Sequence, residues 1–110
     1  MEISFKSRKL KKNLTDPKEM LKSFGQMARK VKQRMEDLQG VDNLAIMRTI
    51  PASRCHELTG NRIGQLAVDV SDHCRLIFVP NHDPIPRKDD GGLDWGEVTH
   101  IHIMEIEDYH

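Results

Sequence analysis

The chain has 110 residues, 37% of them hydrophobic and 31% charged, enough for one domain with a modest core. Its formal net charge is zero and no apolar run approaches the ~20 residues of a membrane span, which excludes a helical membrane protein. Two cysteines, Cys55 and Cys74, are too few for a disulfide framework and too unpatterned for a zinc site.

Charge is divided along the chain. Residues 1–39 carry 11 Lys and Arg against 5 Asp and Glu, residues 40–110 carry 6 against 12, and all six histidines fall in the second part. That division predicts a basic helical face able to meet a polyanion. The opening MEISFKSRKLKK mixes charged and apolar residues and does not read as a signal peptide. A reducing cytoplasm is the expected setting.

In chain order, Ile3 and Phe5 alternate with polar residues and predict a short strand. Residues 6–13 read as a short basic helix. Asp16, Pro17 and Glu19 then form a helix start, with a side-chain cap, a proline at the first helical position and a capping-box acid. Met20, Leu21, Phe24, Met27, Ala28, Val31, Met35 and Leu38 follow at three- and four-residue steps and predict one apolar stripe up to Gly40. Such a helix of about 23 residues would be ~34 Å long. Residues 41–54 are a connector that Leu44, Ile46 and Met47 pin to the core. Cys55 to Leu58 predicts a short strand and Gly60-Asn61 a turn. Leu66, Val68 and Val70 predict a half-buried strand, Ser71-Asp72-His73 its turn, and Arg75 to Val79 the next strand, ended by Pro80. Residues 81–96 read as a long polar loop and 97–107 as the last strand. The order predicts a single α+β domain over residues 1–110, with two N-terminal helices packed on one face of a small, mainly antiparallel sheet.

The chemistry-bearing residues lie in three segments: His56; Arg75; and Asp108, Tyr109 and His110 at the end. Two imidazoles, a fixed cation, a carboxylate and an aromatic ring suit cleavage of a phosphodiester without metal. Imidazole exchanges protons near neutral pH, Arg stabilises charge on phosphate, and a Tyr ring can stack on an unpaired base. His100 and His102 would share one strand face, but no third ligand stands at short spacing. No metal and no cofactor is expected.

These segments resemble the HigB-like plasmid-maintenance killer toxins of the RelE/ParE superfamily. Pro51-Ala52-Ser53-Arg54-Cys55-His56-Glu57-Leu58-Thr59-Gly60 is similar to that family's loop into a "His-x-Leu-Lys-Gly" strand. Residues 66–78, ending in Cys74-Arg75-Leu76-Ile77-Phe78, are similar to its hairpin with "aromatic-Arg-Leu-x-Phe". Ile106-Glu107-Asp108-Tyr109-His110 is similar to its "Ile/Tyr-x-Asp-Tyr-His" ending.

The resemblance implies a RelE-like fold and a toxin of a type II toxin–antitoxin pair. Its activity would be a metal-independent endoribonuclease that cleaves messenger RNA on the ribosome. His110 is the implied leading proton-transfer group, with Asp108 orienting or sharing in the transfer and Tyr109 holding the nucleotide. Arg75 would stabilise the phosphate and His56 would be a second acid/base or a substrate contact. Arg54 and Arg62 are implied substrate contacts, Arg62 standing in for the family's lysine where this chain has Thr59. The implied partner is a HigA-like helix-turn-helix antitoxin, and only the complex would bind operator DNA. No membrane partner is implied. Two other readings share the fold: a non-enzymatic toxin that binds a target such as DNA gyrase, and a catalytically weak half of a DNA-binding repressor complex.

Overall fold

The computed structural model describes residues 1–108. The chain runs β1 (Glu2–Phe5), α1 (Arg8–Thr15), α2 (Pro17–Phe24), α3 (Ala28–Gly40), α4 (Leu44–Met47), β2 (His56–Glu57), β3 (Leu66–Ser71), β4 (Cys74–Pro80) and β5 (His100–Asp108). The five strands form one sheet in the order β1-β5-β4-β3-β2. Pairing is antiparallel except at β1, which lies parallel to β5 with Ile3 opposite Ile101. The sheet is therefore mixed. The helices between β1 and the later strands form the crossover that a parallel pair requires.

One face of the sheet carries the helices. Leu14, Met20, Val31, Met35, Leu38, Leu44 and Met47 are buried against Leu66, Val68, Val70, Leu76, Phe78, Ile101 and Ile103. A smaller apolar patch of Leu58, Ala67 and Ile77, with Met104 beside it, lies apart from that core. Ala67 and Ile77 pair in register between Leu66/Phe78 and Val68/Leu76, so strand alternation puts the patch on the face away from the helices. Ala67 is thus fully buried as well, and β3 is covered on both sides. No helix among the described residues is long and apolar enough to cross a membrane.

Three expectations about the helices change. The first helix starts two residues later, because the Ser7 hydroxyl accepts from the Leu10 N–H and caps it. Asp16 caps the second helix through Lys18 N–H at 2.9 Å. Glu19 does not complete a capping box, since the Asp16 N–H is taken by the Lys12 carbonyl that ends α1. The single long helix is broken after Phe24, where Gly25 adopts φ 57°, ψ −126° and a 3₁₀ turn over Gly25–Met27 leads into α3. Only glycine enters that backbone region cheaply.

The connector and the long loop are more structured than their composition predicts. Leu44 and Met47 are buried in α4, as expected of pinning residues, while Ile46 is exposed. In the loop, Arg87 bridges Leu93 and Asp94 N–H donates to the Pro86 carbonyl. Leu93, Trp95 and Val98 enter the main core, and the Arg48 guanidinium lies 3.5 Å above the Trp95 ring.

Candidate functional site

The helix-free face of the sheet gathers the charged side chains. Register pairs His56 with Ala67, Ala67 with Ile77, and Ile77 with Glu105. The next row pairs Asp69 with Arg75 and Arg75 with Glu107. Residues directly opposite in an antiparallel pair share a face, so His56, Asp69, Arg75, Glu105 and Glu107 all project to one side.

His56 is oriented by its own loop. The turn Pro51–Ser53 is anchored by the buried Ser53 hydroxyl, which donates to the Ile50 carbonyl at 2.8 Å and to the Met47 carbonyl at 3.1 Å. Arg54 ends that turn in the left-handed region, φ 42°, ψ 50°, the only described non-glycine residue at positive φ. Its carbonyl is then 2.6 Å from His56 Nδ1. A carbonyl can only accept, so the bond places a proton on Nδ1 and, in the neutral ring, leaves the lone pair on Nε2. The side chain of Arg54 points outward, 74% exposed, with Nε 3.5 Å from the Asp69 carboxylate.

Arg75 and Arg62 meet on one carboxylate. Arg75 Nη2 donates to Glu107 Oε1 at 3.0 Å and Arg62 Nη2 donates to Glu107 Oε2 at 2.9 Å. Arg62 reaches this point from the β2–β3 connection, crossing above β3 and β4. It also donates to Glu105 Oε1 at 3.2 Å and to Gln65 Oε1 at 2.9 Å. The three side chains are partly shielded, at 21% exposure for Arg75, 24% for Glu107 and 31% for Arg62.

Asp108 stands opposite Cys74. Cys74 is buried with the helix-side core, so alternation sets Asp108 on that side rather than with Arg75. Burial pushes the Cys74 thiol up to about 11, and the Asp108 charge adds to the shift. Tyr109 and His110 lie outside the described residues. The structure therefore brings His56, Arg75, Arg54 and Arg62 to one face and sets Asp108 on the other side, at the end of β5.

Glu107 and Glu105 are the residues that sequence reasoning passed over. They lie at the end of the segment read as the last strand, residues 97–107. The signal was present in the two-residue spacing of the acids, which places both on the face that Arg75 occupies.

The histidines on β5 are engaged locally. His102 Nδ1 is 2.7 Å from the Ser4 hydroxyl, and His82 Nε2 accepts from the Thr99 and His100 N–H groups at 3.1 and 3.2 Å. No cluster among the described residues has the ligands for a metal ion. A groove of about 670 Å³ lies between α3 and the β3–β4 turn and adjoins the charged face through Arg54 and Asp69.

Solved structures share this arrangement of helices on a five-stranded sheet. The chain is similar over its full length to the YoeB/ParE toxin from Agrobacterium tumefaciens, covering all of that chain at 10% identity with a TM-score of 0.55. It is similar to the YoeB–YefM complex from Staphylococcus aureus, with 15% identity, coverage of 100% of this chain and 98% of that one, and a TM-score of 0.54. It also resembles YafQ from E. coli strain BL21(DE3), with 15% identity, coverage of 97% and 91%, and a TM-score of 0.51. At such identities the likeness is one of fold. No family model and no curated protein matches the sequence.

Proposed function

We propose that the chain is the toxin of a type II toxin–antitoxin pair, of the HigB-like branch, and cleaves messenger RNA on the ribosome in the cytoplasm. The observation that carries this reading is His56, with Nε2 as its proton-exchanging atom, on the same sheet face as Arg75. The likeness in fold to solved toxins supports it.

The reaction needs no metal. A ribose 2′-hydroxyl loses its proton to an imidazole, its oxygen attacks the adjacent phosphorus, and the bond from phosphorus to the 5′-oxygen breaks. A second protonated imidazole supplies the leaving oxygen with its proton, giving a 2′,3′-cyclic phosphate and a 5′-hydroxyl end. His56 and His110 are the two imidazoles in this scheme, Arg75 stabilises the phosphorane charge, Tyr109 holds the base, and Asp108 orients a proton-transfer partner. Arg54 and Arg62 contact the strand, and a HigA-like helix-turn-helix antitoxin inhibits the chain and carries it to operator DNA.

Induction without an antitoxin should arrest growth and create new messenger RNA ends bearing 5′-hydroxyl groups. Each of His56→Ala, Arg75→Ala, Asp108→Ala and His110→Ala should lower cleavage by about 10²-fold or more, the usual contribution of a positioned acid/base or oxyanion stabiliser. Arrest without new ends would point instead to a toxin that binds its target. No arrest at all would favour the repressor-scaffold reading, which the closed Arg62–Glu107–Arg75 bracket supports. Undiminished cleavage in all four variants would refute the site.

A further inference from the structure

We infer that Glu107 is an internal occupant of a two-arginine phosphodiester clamp, and that RNA must displace it to reach Arg75. The inference rests on the ribonuclease reading above. A carboxylate and a phosphodiester each carry one negative charge spread over two oxygens. Glu107 presents its two oxygens to two different guanidinium groups, Oε1 to Arg75 and Oε2 to Arg62. That is how two arginines grip the non-bridging oxygens of a single phosphate.

The bracket is built by the fold. Glu107 is the registered cross-strand partner of Arg75, and Arg62 is steadied by Gln65 and Glu105 as it crosses the face. The pair of arginines and the pair of glutamates cancel in charge. The bracket is therefore preorganised for an anion but neutral among these four side chains until Glu107 leaves, and the partly exposed Glu107 side chain has solvent to move into. The arrangement lowers affinity for RNA while holding both guanidinium groups in their binding geometry.

The test is the isosteric Glu107→Gln variant with a 2′-O-methylated single-stranded hexanucleotide, which binds but cannot be cut. Loss of two partly exposed ion pairs should tighten binding roughly five- to tenfold. The salt dependence should steepen by about 0.7 for each guanidinium freed for phosphate. Glu105→Gln, which releases only one contact of Arg62, should give a smaller gain. Glu97→Gln, which removes the same charge from an exposed position elsewhere, should give the least. Adding Arg62→Gln to Glu107→Gln should abolish most of the gain.

A Glu107→Gln affinity no better than that of Glu97→Gln would overturn the inference. So would a gain for polyglutamate that exceeds the gain for RNA, since the bracket would then select carboxylates. If Glu107→Gln does not fold, the wild-type chain supplies the measurement. Titration with the same oligonucleotide should shift the Arg62 and Arg75 guanidinium resonances together with the Glu107 carboxylate carbon, and an unmoved Glu107 would overturn the inference. Tighter RNA binding by Glu107→Gln with no cleavage by wild type would retain the clamp and remove the nuclease. Cleavage by wild type with no gain would do the reverse.

Discussion

The backbone of Arg54 is strained at the point where it aims its carbonyl at His56. A left-handed non-glycine residue costs about 1 kcal/mol or more and persists where the surroundings demand it. Two substitutions separate backbone from side chain. Arg54→Ala and Arg54→Gly both remove the guanidinium, but only Gly relieves the strain. Arg54→Gly should melt about 4 °C above Arg54→Ala, while both lose RNA affinity equally; melting curves and a binding isotherm check the two halves. The cysteines make a second prediction at this scale. Burial pushes Cys55 up to about 12, against the opposing Arg48 charge, and Cys74 up to about 11. Both folded values lie above the ordinary 9.0, so the folded chain holds protons that the unfolded chain releases. Their stabilisation is complete below pH 9 and declines as pH rises through the interval up to the folded values. Thermal melts at increasing pH should show that decline, with a shallower slope in the Cys55→Ala/Cys74→Ala variant.

At the scale of elements, the break at Gly25 is a backbone requirement alone, since a Cβ built there meets nothing within 4 Å. Gly25→Ala should therefore destabilise by about 1–3 kcal/mol through conformation rather than collision, read as a lower denaturant midpoint with an unchanged slope. Trp95 tests the loop. It is 7% exposed inside a segment rich in Gly, Pro and Asp. Trp95→Ala should cost about 3–5 kcal/mol, as core tryptophans do, and a cost below about 1 kcal/mol would refute its role as an anchor. These elements show what was legible in the sequence. The Asp16-Pro17 cap and the β3–β4 hairpin are written in local spacing, and local spacing was enough to place them. The break at Gly25 was masked by an apolar stripe that continues across it. The parallel β1–β5 pair was not legible, because strand order is set by packing between distant segments rather than by any local pattern. The site divides the same way. His56 and Arg75 carry their chemistry in their residue type, whereas Glu107 matters only through the register that sets it opposite Arg75.

At the scale of the whole molecule, the division of charge along the chain becomes a division in space. The exposed cations of residues 1–39, among them Lys9, Lys18 and Lys22, belong to the helix layer. The arginines of the opposite sheet face are matched by Asp69, Glu105 and Glu107. A neutral chain can thus meet a polyanion through its helices while its sheet face stays electrically closed. This predicts that attraction and cutting are separable. Replacing Lys9, Lys18 and Lys22 with Gln removes three cations without touching the core. If the helix layer supplies the long-range contacts, the slope of log affinity against log salt should fall by about 0.7 per lysine on single-stranded RNA. The cleavage rate at saturating RNA should be unchanged. Arg75→Ala should show the opposite pattern, with a collapsed rate and a slope altered by at most one such step. A triple-lysine variant that keeps the full slope would place the polyanion contact on the sheet face instead. The Glu107→Gln substitution would then control encounter as well as access to Arg75, and its gain in affinity should vanish at high salt, where screening removes attraction between exposed charges.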